Sequence, residues 1–329
     1  MNSDSHNEKF ADAPTYELKA EKFEVDEFVN PGFLVKTDDY LIFFGESGTK
    51  RDLFHVYSID EMRFLYSFGK NGRANNEFLL TSPIYNLQGN TFMVMDCISR
   101  KLFEFELTRQ GEKLQKITKL DIPIGQPIQE AVMINDSICA FNLMSESESS
   151  IYTYNIDSNY VVDKFDLSEQ LRQQVNADTS LSGFTIGGVG DNDLYIAYSN
   201  MDHVSKVGFN SDFTFKKSEY KLQRREINSL DGDLMYYGYI RYENQYTFAV
   251  RNCIKTKSML NPFLNSSFEV EIYDRELQPL ALLKFEEKNI LRFEVDLEAT
   301  YLWAWDIIDG FDYIYRYDLR EVLKQSQEQ

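Results

Sequence analysis

Polar side chains recur at equivalent breaks in a repeated strand pattern, and these residues are the first candidates for chemistry. Successive breaks lie about 46 to 56 residues apart, a spacing typical of repeated β-units. Carboxylates, an amide, a phenol and a guanidinium suit a polar ligand, and two opposed carboxylates can act as general acid and base. The alternative is that these residues simply form turns at strand ends. The break positions are Gly45, Asp96, Asn142, Tyr198, Arg251 and Asp306.

A second candidate site is a group of five cations around the fifth break. The chain as a whole is acidic, with 34 Lys and Arg against 53 Asp and Glu and a formal net charge of −19. A cationic group on such a surface would favour an anionic ligand, because guanidinium binds carboxylate or sulfate bidentately. The alternative is a solvated cluster that binds nothing. The five residues are Arg224, Arg225, Arg251, Lys255 and Lys257.

The composition also argues against several function classes. The net charge opposes non-specific binding to nucleic acid and to anionic lipid, which both require clustered cations. Three scattered histidines and three cysteines without a CxxC pair predict neither a metal site nor a disulfide framework. The glycines of residues 187–190 precede a turn and a strand, so they lack the helix that a phosphate site needs. We therefore expect no metal and no cofactor.

The elements that position the breaks are six copies of one plan. Each copy has an apolar first strand ending in Asp, Asn or Gly, then an aromatic hairpin, then, except in the last copy, a lysine- and glutamate-containing outer strand. This pattern predicts an all-β fold, a six-bladed β-propeller with four-stranded antiparallel blades. In a propeller the breaks lie on the same face as the connections between blades, around the central channel.

The last copy lacks a fourth strand, whereas the alternating segment of residues 16–25 belongs to no copy. Pairing the two would close the ring and remove two open edges. We therefore predict that the N-terminal strand closes a single propeller over residues 16–320. Residues 1–15 are then a disordered polar leader, and residues 321–329 form a short C-terminal helix or tail.

Residues 68–83, FGKNGRANNEFLLTSP, resemble the blade-joining signature of NHL-type propellers. Gly69, Gly72, Phe78 and Pro83 match it, and Asn76 stands where glycine is usual. With its six imperfect repeats, the chain is similar to the TolB-like six-bladed propellers of uncharacterised bacterial proteins and lipoproteins. The resemblance implies a fold and a compartment, but no activity.

These patterns lead to a functional hypothesis of a non-enzymatic binding or scaffolding propeller, monomeric, that recognises a glycan, peptide or protein at the channel face. The alternative is a carbohydrate-active hydrolase or lyase that uses channel-face carboxylates such as Asp96 and Asp306. Trp303 and Trp305 are either a stacking platform for a ligand or packing between blades.

The polar N-terminus resembles the spacer that follows a lipidated cysteine in bacterial lipoproteins. We therefore expect a periplasmic or cell-surface lipoprotein that touches the membrane only through its lipid anchor. A cytoplasmic protein is the alternative, because no signal peptide is present in the sequence.

Overall fold

The computed structural model describes most of the chain, and all structural statements below refer to these residues. They are residues 10, 12–25, 30–46, 52–85, 87–122, 128–143, 149–175, 183–190, 192–199, 201–222, 234–255, 269–285, 290–296, 300–306 and 312–327.

The fold is all-β with a propeller-like arrangement, and its strands follow one another in antiparallel groups. The first three groups are β3 (Asn30–Lys36), β4 (Tyr40–Glu46), β5 (Asp52–Ser58) and β6 (Arg63–Asn71); β8 (Thr81–Tyr85), β9 (Thr91–Asp96), β10 (Lys101–Thr108) and β11 (Gly111–Lys119); and β12 (Ile128–Met133), β13 (Ile138–Leu143), β14 (Ser150–Asn155) and β15 (Tyr160–Asp166).

The later groups repeat the same order of strands, and three short strands and two helices complete the described chain. The later groups are β16 (Phe184–Gly190), β17 (Asp193–Tyr198), β18 (Val204–Phe209) and β19 (Phe215–Leu222); β20 (Leu234–Glu243), β21 (Tyr246–Lys255), β22 (Glu269–Tyr273) and β23 (Pro279–Phe285); and β24 (Ile290–Asp296), β25 (Tyr301–Asp306) and β26 (Tyr313–Asp318). The remaining elements are β1 (Thr15–Leu18), β2 (Glu21–Glu24), β7 (Glu77–Phe78), α1 (Leu167–Val175) and α2 (Arg320–Gln327).

The prediction of six separate four-stranded blades is not confirmed. The described strands form five sheets, of which two have four strands, two have five and one has eight. The eight-stranded sheet arises because β8 and β12 pair in parallel, through Ile84 with Ala131 and Tyr85 with Val132. The second and third groups, which were expected to be separate blades, therefore belong to one sheet.

The N-terminal segment joins two different sheets. As predicted, β2 pairs with the third strand of the last group, β26, in an antiparallel register from Glu21 opposite Arg316 to Glu24 opposite Tyr313. The preceding strand β1 was expected in the same place, but it pairs in parallel with β23. Phe10, within the segment predicted as a leader, is buried with its ring centroid 5.5 Å from that of Tyr273.

The structure of residues 68–78 explains why this segment contains Gly69. Gly69 has a φ of +72°, and a Cβ there would lie 2.4 Å from the Phe54 ring. The chain then turns back so that β7 pairs in parallel with β6. This places the Phe78 ring in the core, 5.2 Å from Phe54 and 4.6 Å from Phe103. These residues thus place the Phe78 ring between the first and second groups of strands.

Trp303 and Trp305 pack between sheets, which is one of the two roles predicted for them. Trp303 and Trp305 are fully buried, and Trp305 contacts Phe43 of the first group edge to face at 5.7 Å. They share an apolar cluster with Leu34, Leu41 and other residues of the first sheet. Their role is to fill the space between the last sheet and the first.

Two helices are present within the described residues, and the one at the C-terminus was predicted. α1 begins directly after Asp166, whose Oδ1 accepts the Glu169 N–H at 2.9 Å as an N-cap. At the C-terminus, Asp318 accepts the Arg320 N–H at the start of α2. Within the described residues, neither helix has the length and apolar character needed to cross a membrane.

Candidate functional site

Asp96, one of the predicted site residues, is occupied by its own turn. Its Oδ1 accepts the N–H groups of Ile98 and Ser99 at 3.1 and 3.2 Å, and its Oδ2 accepts the Leu79 N–H at 3.2 Å. The carboxylate is also buried. This geometry fits the alternative interpretation of Asp96 as a turn former rather than as a catalytic group.

Asn142 and Tyr198 are likewise fully buried. Asn142 accepts the Glu130 N–H at 2.9 Å and donates to the Phe184 carbonyl at 3.3 Å, so it joins the third group to the fourth. The Tyr198 hydroxyl lies 2.7 Å from Ser205 Oγ, and burial raises the pKa of Tyr198 well above its ordinary value. Asn142 thus bridges two groups and Tyr198 bonds within its own sheet, at positions where a ligand contact was predicted.

Arg251 is also committed to internal partners, contrary to the expectation that it offers its guanidinium to an anion. Its Nε and Nη2 donate to the two oxygens of Asp202 at 3.1 and 3.0 Å. Glu271 Oε1 lies 3.7 Å from the same Nε. The side chain is 8% exposed, and two carboxylates neutralise its charge. Arg251 is therefore part of a buried network rather than an open anion site.

The other predicted site residues lie wholly or partly outside the described chain. Arg224, Arg225 and Lys257 fall between described segments, and only the backbones of Lys255 and Asp306 are described. The cationic group and the Asp96–Asp306 pair therefore stay predictions. Among the described side chains, no two of the predicted site residues are brought into contact.

The structure places a cavity of about 580 Å³ at the opposite ends of the first strands. The break residues Asp96 and Tyr198 pair with Thr81 and Phe184, where β8 and β16 begin. The cavity is instead lined where first strands end. Its charged lining is Lys36, Asp38, Asp39, Arg241, Glu243, Glu294 and Asp296.

The innermost part of this lining is a buried cluster around Arg241. The guanidinium carbon lies 3.4 Å from the Tyr85 ring centroid and 3.9 Å from that of Tyr239. Nε donates to Glu294 Oε1 at 3.1 Å, and Nη1 donates to the Ile240 carbonyl at 2.9 Å. Among the described residues, Nη2 has no hydrogen-bond partner. The cluster draws on β8, β20 and β24.

Glu294 is the acidic partner in this cluster. Its Oε1 also accepts the Tyr239 hydroxyl at 2.9 Å. Burial raises the pKa of Glu294, and the nearby Arg241 and Lys36 oppose that rise without cancelling it. A buried carboxyl whose pKa is raised can change protonation nearer to neutral pH than an exposed one.

Lys36 and Asp296 form a second ion pair in the cavity wall. Their Nζ and Oδ2 atoms are 3.7 Å apart, and both side chains are largely buried. Lys36 ends β3 and Asp296 ends β24. This pair therefore links the first group of strands with the last at the cavity.

The glycines of residues 187–190 serve to bring two strands together beside the cavity. A Cβ on Gly187 would lie 2.0 Å from the Ile240 carbonyl oxygen, and one on Gly190 would lie 1.6 Å from the Tyr242 ring. Gly188 has a φ of +137°. The Tyr242 ring also stacks on the Tyr195 ring, with centroids 4.5 Å apart and planes 11° apart. The close approach of β16 to β20 thus explains this sequence without a phosphate.

Sequence reasoning missed Arg241 and Glu294. The available signal was an ionisable residue inside each of two apolar segments, YYGYIRYE and LRFEVD, which were predicted as first strands. An ion in a buried strand needs a partner, and that requirement points to a pair. Within the described residues, no three His, Cys, Asp or Glu side chains are grouped to hold a metal ion.

Comparison with solved structures gives the fold alone. A member of the DUF4221 family from Bacteroides vulgatus matches with a TM-score of 0.59 and 13% identity, over 92% of this chain and 97% of that one. A luciferin-regenerating enzyme matches with a TM-score of 0.57 and 9% identity, over 91% of this chain and 95% of that one. A protein from Bacteroides fragilis that is thought to be exported matches with a TM-score of 0.55 and 12% identity, over 91% of this chain and 94% of that one. No protein-family profile and no curated protein matches the sequence.

Proposed function

We propose that this protein is a six-bladed, non-enzymatic binding propeller whose ligand occupies the cavity beside Arg241. The blade count is supported by the contacts between first strands. Each first strand contacts the next, in the order β3, β8, β12, β16, β20 and β24, and β24 contacts β3. Pairing of β2 with β26 supplies the fourth strand of the last group, which supports closure by the N-terminal strand.

The observation that carries the binding function is the preformed polar cavity. Its volume of about 580 Å³ is in the range of small-molecule sites, roughly 300–1,000 Å³. Its buried charges are already held by Tyr239, Glu294 and each other, so a ligand would not have to order them. Preorganisation of this kind reduces the cost of binding. The size favours a small ligand over a polymer.

A hydrolase or lyase is the second candidate, and one observation favours it. Glu294 and Asp296 are two residues apart on β24, so they share one side of the strand and both line the cavity. The raised pKa of Glu294 suits a general acid, and Asp296 would then be the base. In this alternative the catalytic carboxylates are Glu294 and Asp296 rather than Asp96 and Asp306, and they lie at the other end of the first strands.

The test is a thermal-shift screen with amino acids, short peptides and glycans, followed by calorimetry on the hits. Ligand at 100 times Kd should raise the unfolding free energy by about 2.7 kcal/mol. Asp296→Asn should abolish the response. Asp193→Asn is the matched control, because Asp193 also pairs with a buried lysine, Lys206 at 2.9 Å, outside the cavity.

Equal loss of binding in both variants, or no hit at all, would count against the cavity as the binding site. Mass analysis of each hit after incubation with the protein separates the two candidates. An unchanged hit supports a binding protein, and a cleaved hit whose cleavage needs Glu294 supports the enzyme.

We also propose an extracytoplasmic lipoprotein. The support is the Bacteroides fragilis neighbour that is thought to be exported, together with the lipoprotein-like polar N-terminus. Fractionation of cells that express the natural gene should place the protein with the membrane or periplasm. Recovery from the cytosol would contradict this.

A further inference from the structure

We infer that the outer strand β11 of the second group binds an extended segment of a partner protein as an added strand, and that acidic and apolar residues alternate in this segment. β11 does not line the cavity, so the inference goes beyond the proposed function. Three observations lead to it: β11 is an open sheet edge, it is both apolar and cationic, and the protein itself adds strands to two other outer edges.

The apolar face of the sheet continues to its open edge at β11. This strand lies at one edge of the eight-stranded sheet, and residues 112–117 are all exposed. Leu114 and Ile117 are opposite Phe105 and Phe103 of β10, whose rings are buried. A register shift lies between these two pairs, so both exposed side chains are on the same face although they are three positions apart. An added strand with apolar residues on that face would cover them.

Exposed apolar side chains are concentrated in this part of the molecule. Among the described residues, six large apolar side chains are exposed, and all but the last lie in the second group of strands or directly before it. They are Leu79, Leu80, Ile98, Leu114, Ile117 and Tyr160. The first three surround one turn, because the Leu79 N–H donates to Asp96 and the Cys97 N–H donates to the Leu80 carbonyl. Exposed apolar patches of this kind mark interaction surfaces.

β11 is also cationic in an acidic chain. It holds three lysines and one glutamate, whereas the whole chain holds 34 Lys and Arg against 53 Asp and Glu. The three lysines, Lys113, Lys116 and Lys119, are exposed. Lysines on an open edge discourage indiscriminate strand pairing, but they attract a strand that carries carboxylates. Charge complementarity therefore selects an acidic segment.

The protein itself shows how an outer edge is filled. The outer strand β23 accepts β1, and the outer strand β6 accepts β7, in each case as a fifth strand in parallel. In β1, Glu17 lies opposite Lys284, and its neighbours Tyr16 and Leu18 pack against the core. The added strand thus has an acidic residue opposite a lysine and apolar residues on the core side. A partner segment with this alternation would fit β11 in the same way.

The outer strand β19 separates the contribution of charge from that of apolar contact. It is also a sheet edge, and it also holds three lysines and one glutamate. Its apolar residues Phe215, Tyr220 and Leu222 are buried, so an added strand would cover little apolar surface there. β19 is therefore the control edge for β11.

The experiment is fluorescence anisotropy of the full chain with two labelled peptides of nine residues, the length of β11. The acidic probe alternates glutamate with valine, and the basic probe has lysine in place of each glutamate. The acidic probe should bind at least about tenfold more tightly, because it alone complements the lysines of β11. Raising the salt should weaken its binding. Hydrogen exchange should show new protection of the β11 amides and none of the β19 amides, because an added strand bonds to the backbone of the edge.

Two exposed substitutions on β11 have matched controls on other outer strands. Lys119→Glu should weaken the acidic probe about three- to tenfold, whereas Lys217→Glu on β19 should not. Ile117→Thr keeps a β-branched side chain but loses apolar contact, and it should also weaken binding about three- to tenfold. Tyr160→Thr on β15 is its control. All four side chains are exposed, so thermal unfolding should be nearly unchanged in each variant.

Three outcomes would overturn the inference. The first is no saturable binding of the acidic probe up to about 1 mM, or binding without protection of β11. The second is an equal loss in Lys119→Glu and Lys217→Glu, which would mean that the net charge of the molecule governs binding. The third comes from sedimentation of the protein alone, because a dimer that Ile117→Thr disrupts would assign this edge to a second copy of the chain. Ligand binding in the cavity should be the same in Ile117→Thr as in the wild type, which keeps this test separate from that of the proposed function.

Discussion

Two buried arginines on neighbouring strands of one sheet have opposite relations to their surroundings. Arg251 on β21 is held by both oxygens of Asp202 and lies beside Glu271. Arg241 on β20 has one carboxylate partner, Glu294, two tyrosine rings over its faces, and an amino group without an acceptor among the described residues.

The comparison shows what separates a structural arginine from a candidate ligand group. Arg251 stood at a predicted site position, and yet its charge is neutralised within the protein. Arg241 was not singled out by the sequence, and it lies in the wall of a cavity. Burial is nearly the same for both, so the number of carboxylate partners, and not exposure, distinguishes them.

The largest expected effect is that of Arg251→Met on stability. The change leaves Asp202 and Glu271 without their cation, and the loss of one partner of a buried ion pair costs about 3–5 kcal/mol. Tyr237 would still donate to Glu271 at 2.6 Å, but a hydroxyl does not neutralise the charge. Urea unfolding measures the loss, and ligand affinity of the folded variant should be unchanged. A loss below about 1 kcal/mol, as at exposed pairs, would mean that the network is solvated.

Arg241→Met should destabilise the protein less than Arg251→Met does, but it should weaken ligand binding more. The carboxyl left behind, Glu294, already has a raised pKa and can take up a proton, which removes the uncompensated charge. We expect a loss of about 1–3 kcal/mol, the cost of unsatisfied buried groups, in the same urea experiment. Ligand binding by calorimetry should disappear. If Arg241→Met proved the more destabilising of the two, the contrast between the arginines would fail.

The smallest expected effect is the pH dependence contributed by Glu294. Its folded pKa is raised above the ordinary value of 4.5. Between these two values the folded state holds a proton that the unfolded state has released. This stabilisation is therefore complete below pH 4.5 and is lost as the pH rises through the folded pKa, by about 1.4 kcal/mol per unit of pKa difference.

The measurement is the difference in unfolding free energy between the wild type and Glu294→Gln from pH 4 upward. Arg241 on β20, Lys36 on β3 and Asp296 on β24 are the charged groups nearby, and all three are kept in the variant. The difference should fall with rising pH and then level off. A difference that grows with pH would mean that Arg241 dominates over burial.

Strand positions were predictable from sequence, but the site was not. Alternation and turn residues located first strands such as β12 and β20, because these signals are local. The pairing of β1 with β23 and of β8 with β12 depends on register between distant segments. Arg241 and Glu294 are 53 positions apart, and only the packing of two groups brings them together. Asp96 was placed at the correct strand end, but its use by three backbone N–H groups could not be read from the sequence.

The pairing of β2 with β26 also fixes the order in which the protein can mature during synthesis. Arg316 donates to Glu21 across 295 positions. The early strand β2 therefore cannot pair until β26, near the C-terminus, has been synthesised. At about 5–20 residues per second, a ribosome needs roughly 15–60 s to cover that distance. Throughout this time β2 has no partner, and the unpaired segment is a template for wrong pairing with other chains. The nascent chain should therefore depend on chaperones until its C-terminal residues emerge.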